Sequence, residues 1–188
     1  MHVDKYLAEA SRICQLLNPD EIDRMAEALS KITGRVYCIG LGGSLANCMH
    51  MAADFRKLCN LDAVAPDNLA ELTAWANDHG WKKLFSGYLS NLSEKDAVFI
   101  LSVGGGMMKG GKAVSTPIIE TIRFAEIKGS SIFGIVGPHG GDTFDAGQYV
   151  IRIPAPKDRV TPHTEAFQAV IWHCLVSHPL LQKRATKW

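Results

Sequence analysis

The chain has no apolar run approaching the ~20 residues that a bilayer-spanning helix needs, and it has no excess of charge. Lys plus Arg number 20 and Asp plus Glu 19, for a net charge of +1. The first absence argues against a membrane span, and the second removes the electrostatic case for nucleic acid or an anionic membrane surface. Cysteine is sparse as well. Cys14, Cys38, Cys48, Cys59 and Cys174 are odd in number and lack zinc-finger spacing, so they read as free thiols within apolar patterns. Met1 to Glu9 carries Asp4 and Glu9 with no apolar core, which argues against a signal peptide and makes the cytoplasm the expected location. Internal repeats, low-complexity tracts and a linker are all missing. What remains is an ordinary globular composition, 47% hydrophobic and 21% charged over 188 residues. That length suits one domain burying roughly 70% of the surface its unfolded chain exposes.

Glycine, by contrast, is placed with purpose. Val36, Tyr37, Cys38 and Ile39 form a short β-rich run, followed by Gly40-Leu41-Gly42-Gly43-Ser44 and a helical pattern to about Lys57. Strand, glycine turn and helix start make a ready anion site, because glycine lets backbone N–H groups approach a ligand and the first helical turn leaves its own unpaired. The loop is not a Walker A motif, since no Lys-Ser/Thr pair follows. It is not the full dinucleotide fingerprint either, which would need glycine at Leu45. A second loop of this kind, Ser102-Val103-Gly104-Gly105-Gly106, ends the apolar run Ala97 to Leu101, and a third, Gly137 to Gly141, follows Ile132 to Val136.

Two amphipathic helices, Tyr6 to Leu17 and Ile22 to Ile32, precede the first strand as a hairpin within residues 1–33, with Asn18 or Asp20 as cap between them. Further helices are expected at Ser44 to Lys57, Leu69 to Ala76, Lys82 to Leu92, Ile118 to Ile127 and from Pro162 or Thr164 through Val176; Tyr149 to Ile153 is a fourth strand. Strands alternating with helices predict an α/β fold with a parallel sheet covered on both faces. Both early glycine loops then fall at strand carboxyl ends, where such sheets bind ligands. His50 and Asp54, four residues apart, share a helical face.

Gly40-x-Gly-Gly-Ser44 with Met49-His50 resembles the sugar isomerase (SIS) domain, in its phosphoheptose isomerase branch. The resemblance continues through Thr73-Ala74-x-Ala76-Asn77-Asp78, Leu101-Ser102 with its glycines, Ile135-Val136-Gly137, and Glu165 and His173 on the last helix. It implies a single SIS domain over 1–188: a three-layer sandwich with a five-stranded parallel sheet, assembled as a homotetramer with active sites at subunit boundaries. The implied reaction is aldose–ketose isomerisation of sedoheptulose 7-phosphate or a close relative through an enediol, the entry to lipopolysaccharide heptose.

The implied cofactor is Zn²⁺, with His50, Asp54, Glu165 and His173 as ligands; Glu165 stands where the family usually has Gln, and Asp54 where it has Glu. Catalysis falls to Asp54 as base and His173 as acid, with Glu165 as the other candidate base. The implied sugar contacts are Gly42, Gly43, Ser44, Asn77, Asp78, Ser102, Gly104, Gly105 and Gly106. Where the family carries several hydroxyl residues in the second loop, Ser102 stands alone, so Lys109 or Lys112 is expected to supply charge there. The alternative function is a non-catalytic SIS module that binds a phosphosugar or a protein partner.

Overall fold

A computed structural model describes residues 1–109 and 112–187, the side chains of 108, 109 and 112 excepted. The expected Lys109 and Lys112 contacts therefore lie outside the described residues.

The chain opens with the expected helical hairpin, α1 (His2–Leu16) and α2 (Pro19–Leu29). Asn18 is the cap: its side chain accepts from Asp20 N at 3.0 Å, and Pro19 occupies the first turn, where its missing N–H costs nothing. Five strands follow in one parallel sheet, β1 (Val36–Gly40), β2 (Ala63–Val64), β3 (Ala97–Ser102), β6 (Ser131–Val136) and β7 (Tyr149–Arg152), in the order β2-β1-β3-β6-β7. Strands β1 and β3 run in register, with Val36 beside Ala97 and Gly40 beside Leu101. Strand order reverses between these two, so the crevice beyond their carboxyl ends is the topological switch point of the sheet. Both early glycine loops emerge there.

Alternation along the strands sorts side chains to two cores. Val36, Cys38, Phe99, Leu101, Phe133 and Ile135 face α1, α2, α3 (Gly43–Asp54) and α7 (Val160–Val176). Tyr37, Ile39, Val98, Ile100 and Ile132 face α4 (Leu69–His79), α5 (Thr116–Lys128) and the segment between α4 and β3. The result is the three-layer α/β sandwich.

Four local features differ from the periodicity. The stretch after α3 is not wholly irregular: α3 continues as a π-helical turn, Phe55–Cys59, and then supplies the two-residue edge strand β2. Lys82 to Leu92 is no regular helix. After a 3₁₀ turn at Trp81–Lys83, Ser86, Ser90 and Leu92 each donate three residues back. The same apolar spacing is kept, with Leu84, Phe85, Leu89 and Leu92 buried. The backbone bends where Gly87 lies against α4; a Cβ there would stand 2.3 Å from Trp75 Nε1. The third difference is an antiparallel hairpin, β4 (Met107–Lys109) with β5 (Lys112–Val114), interposed between the second loop and α5. The last is a short helix, α6 (Gly141–Ala146), growing from the third glycine loop.

Candidate active site

The first loop enters α3 through Gly42, at φ 59° and ψ −129°, a conformation open essentially to glycine alone. Gly40 is held close as well, since a Cβ on it would lie 2.8 Å from the Ser44 backbone. Ser44, expected among the sugar contacts, lies inside the loop. It is buried, and its Oγ accepts from Gln168 Nε2 at 3.1 Å. Gln168 Oε1 in turn accepts from Asn47 Nδ2 at 3.0 Å, and Asn47 also donates to the Glu165 carbonyl at 2.9 Å. This chain of side-chain hydrogen bonds, buried at Ser44 and Gln168 and half-buried at Asn47, pins α3 to α7. Burial without those bonds would cost each group roughly 1–3 kcal/mol, so the register of the two helices is set by polar groups as well as by packing.

That register aligns the residues carrying the chemistry. His50 and Asp54 from α3 and His173 from α7 each bring one ligand atom to within 4.8 Å of the other two. His50 Nε2 lies 3.6 Å from Asp54 Oδ2. His173 Nδ1 is 2.8 Å from the Ala169 carbonyl. A carbonyl only accepts, so Nδ1 carries a proton, and in the neutral ring Nε2 is the atom that presents a lone pair. Buried Trp172 fixes both rings, stacking on His173 at 3.5 Å and meeting His50 edge-on at 4.7 Å.

Glu165 is placed elsewhere. Among the described residues the close group is His50, Asp54 and His173 alone. The Glu165 carboxylate instead overhangs the first loop, 2.6 to 2.7 Å from where a Cβ on Gly43 would stand. It is half-buried and has no hydrogen-bond or ion-pair partner among the described residues. The reason is the helix itself: Glu165 and His173 are separated by about 12 Å of rise along α7. Asn77 and Asp78 also stand apart from the triad, exposed in the last turn of α4, with Asn77 Nδ2 donating to Asp78 Oδ1 at 2.9 Å.

In the second loop, Ser102 Oγ accepts from Gly105 N at 3.0 Å and folds the turn back on itself. The Gly105 and Gly106 carbonyls accept from Thr143 and Asp142 at the start of α6. Gly104 lines a cavity of about 610 Å³ together with Val103, Ser115 and Thr161. Sequence reading missed Ser115 because it lies beyond the hairpin, thirteen residues from Ser102. Its φ of +56°, rare for a non-glycine residue, marks the place only once coordinates exist. It also passed over Gln168, whose one visible signal was a lone amide inside an apolar helix.

No family model matches the chain. A phosphoheptose isomerase of Burkholderia pseudomallei (strain 1710b) is 30% identical over 200 residues, covering 97% of this chain and 96% of that one. Among solved structures, the phosphoheptose isomerase of Neisseria gonorrhoeae superposes with a TM-score of 0.80 at 24% identity, over 93% of this chain and 96% of its own. That of Francisella tularensis gives 0.80 at 20% identity, over 97% and 95%. These two establish the fold, the Burkholderia relative adds identity along nearly both whole lengths, and on that ground the chain belongs to the phosphoheptose isomerase family.

Proposed function

We propose that the chain is an aldose–ketose isomerase of sedoheptulose 7-phosphate or a close relative, dependent on a metal held by His50, Asp54 and His173. The observation that carries the reading is the convergence of these three donors from two helices. Two imidazoles and one carboxylate with a position left open are the donor set of a catalytic zinc site. The Ala169 carbonyl on His173 Nδ1 supplies the outer hydrogen bond such ligands need to present the other nitrogen. Zinc held there supplies a Lewis acid for the carbonyl and hydroxyl oxygens of the sugar.

With Asp54 and His173 drawn into the triad, Glu165 is left to move the carbon-bound proton. It takes the proton from C1 of the ketose, the C–H electron pair forms the C1–C2 double bond, and the C2 oxygen takes up a proton from solvent to give the enediol; return of the carbon-bound proton to C2, with loss of the C1 hydroxyl proton to solvent, gives the aldose. An unpaired carboxylate above a helix start suits that role. A binding-only module would have no use for the triad, which favours the enzyme.

Glu165 is separated from His173 by about 12 Å of helical rise and sits over the first loop rather than within the triad, which favours a site whose base and metal ligands come from different copies. Thr161, at the second-loop cavity, is about 18 Å from His173 along α7, whereas an extended heptose phosphate is on the order of 10 Å long. Two copies then complete each site. The surroundings of the triad support this: Met49 is 45% and Val170 50% exposed, and Cys174 is exposed beside them. An apolar surface around a catalytic group suits a subunit boundary, in keeping with the tetramer that the resemblance implies. No described helix is long and apolar enough to cross a membrane, which is compatible with the cytoplasmic heptose pathway expected.

A coupled isomerase assay across seven- and six-carbon ketose phosphates, run beside metal analysis, tests the reading. Turnover of the seven-carbon substrate with stoichiometric zinc that disappears in His50→Ala and His173→Ala supports it. No turnover of any of them by zinc-replete protein contradicts it.

A further inference from the structure

Helix α3 does not simply stop at Asp54. It widens into the π-helical turn Phe55–Cys59, and the chain leaves that turn through Asn60, at φ 57° and ψ 28°. Asparagine tolerates this left-handed conformation better than most residues and often closes a helix in it. Turns of the π kind are rare and recur at functional sites; this one follows directly on a residue of the triad. A helix end also leaves its last carbonyls without partners inside the helix.

At Leu58 the partner comes from far along the chain. Beyond α7 the backbone turns at His178, whose Nε2 lies 3.2 Å from Asp23 Oδ1 of α2, and Leu181 and Gln182 each donate to the His178 carbonyl at 2.9 Å. Leu181 is buried. The next two residues land on the π-helical turn: Lys183 N and Arg184 N both donate to the Leu58 carbonyl, at 2.8 and 3.1 Å. The Arg184 guanidinium donates to Asn60 Oδ1 at 3.1 Å, and Cys59 Sγ donates to the Val176 carbonyl, in the last turn of α7, at 3.7 Å. The turn that follows Asp54 is thus tied to the segment that follows His173.

We propose that residues 181–184 form a strap that holds the π-helical turn and so fixes Asp54 against His173, with Lys183 and Arg184 as positioning residues for the triad. The side-chain bonds among Ser44, Asn47 and Gln168 fasten α3 to α7 near the start of α3, about 15 Å of helical rise from Asp54. One fastening leaves a helix pair free to pivot about it, and the strap supplies the second at the end that carries the ligands. The consequence for metal rests on the reading of the triad above, but the strap itself does not.

The test uses the full chain with Lys183→Pro, which removes the shorter of the two amide donors. Zinc affinity, measured by competition with a chelator, is expected to fall about tenfold or more. The visible spectrum of the cobalt(II)-substituted protein changes with it, because the geometry around the ion changes. In metal-free protein, amide hydrogen exchange accelerates at Asn60 and Leu61. Phe85→Leu, in the opposite core, weakens the fold without touching the strap and keeps zinc affinity within about twofold. Where Lys183→Pro does not fold, Asn60→Gly carries the test: glycine keeps the left-handed turn but loses the Arg184 contact, for a loss of about threefold. Wild-type zinc affinity with an unchanged cobalt spectrum in the folded variant would overturn the proposal, as would an equal loss in Phe85→Leu. Failure of the metal reading looks different: wild type takes up no stoichiometric zinc, while exchange at Asn60 and Leu61 still accelerates in Lys183→Pro.

Discussion

The first and second glycine loops look alike as strings and behave differently as structures. The first runs directly into α3, leaves open space where a Cβ on Gly42 would stand, and lets its serine turn inward to Gln168. The second leads into a hairpin, gives its carbonyls to α6, and presses against the third loop. A Cβ on Gly105 would lie 1.8 Å from the Gly140 carbonyl. At Gly42 glycine answers a backbone angle alone, whereas at Gly105 it answers an angle and a close backbone contact together. Whether a helix or a hairpin continues the chain decides which polar groups of each loop remain for a ligand.

The largest effect expected is on activity. If the triad of one copy serves the Glu165 of another, His173→Ala and Glu165→Gln are each nearly inactive, by about 10² or more. Mixing and reassembling the two variants then restores a measurable fraction of wild-type turnover. No recovery in verified mixed oligomers would break the two-copy picture. The first loop also separates the two roles, since Glu165→Gln is expected to keep its zinc whereas Asp54→Asn loses it.

Stability comes next. Gly105→Ala combines a positive φ with a backbone collision and is expected to cost about 3 kcal/mol or more; Gly42→Ala, with open space around it, costs only the backbone strain of about 1–3 kcal/mol. Urea denaturation of the pair sharpens the contrast, and equal costs would erase it. Gln168→Ala strands Ser44 and Asn47 and is expected to cost about 1–3 kcal/mol, with a loss of zinc affinity that a distant core substitution such as Phe85→Leu does not share.

The smallest effect is a pH dependence. The Arg159 guanidinium, with His163 behind it, holds the Glu9 carboxyl down from 4.5 to about 2. The folded-state value lies below the unfolded one, so the stability Glu9 contributes is complete above about pH 4.5 and is lost as pH falls toward 2. Acid titrations of wild type and Glu9→Gln should therefore converge below about pH 2 and part above it. Parallel curves throughout that window would mean that the pair does not anchor the start of α7.

Much of the fold was legible because its strands are dense in β-branched and apolar residues. Ala97 to Leu101 is buried throughout and could be read as nothing else. Caps behaved the same way: Asn18 and Gly129 begin or end helices where local chemistry demands it. Strand β2 was not legible, since two residues carry no period. Leu84, Phe85, Leu89 and Leu92 misled in the opposite sense, because helical spacing buries the same side chains whether the backbone is an α-helix or a run of turns. At the site, His50 and Asp54 were legible from their spacing on one helix. Their meeting with His173 depends on a helix–helix register that amides within the core impose, and Glu165 fell outside it because a helix rises while it turns. Ser115 gave no signal at all, because only the fold brings it to the cavity beside the second loop.

Solvent exchange into the sugar is the most direct measurement of the central claim. With zinc-loaded protein in D₂O, sedoheptulose 7-phosphate should take up deuterium at C1 as the aldose accumulates, and uptake should fall about a hundredfold or more in Glu165→Gln although zinc is still bound. Uptake that proceeds unchanged in Glu165→Gln, or no uptake by the zinc-loaded wild type, would contradict it.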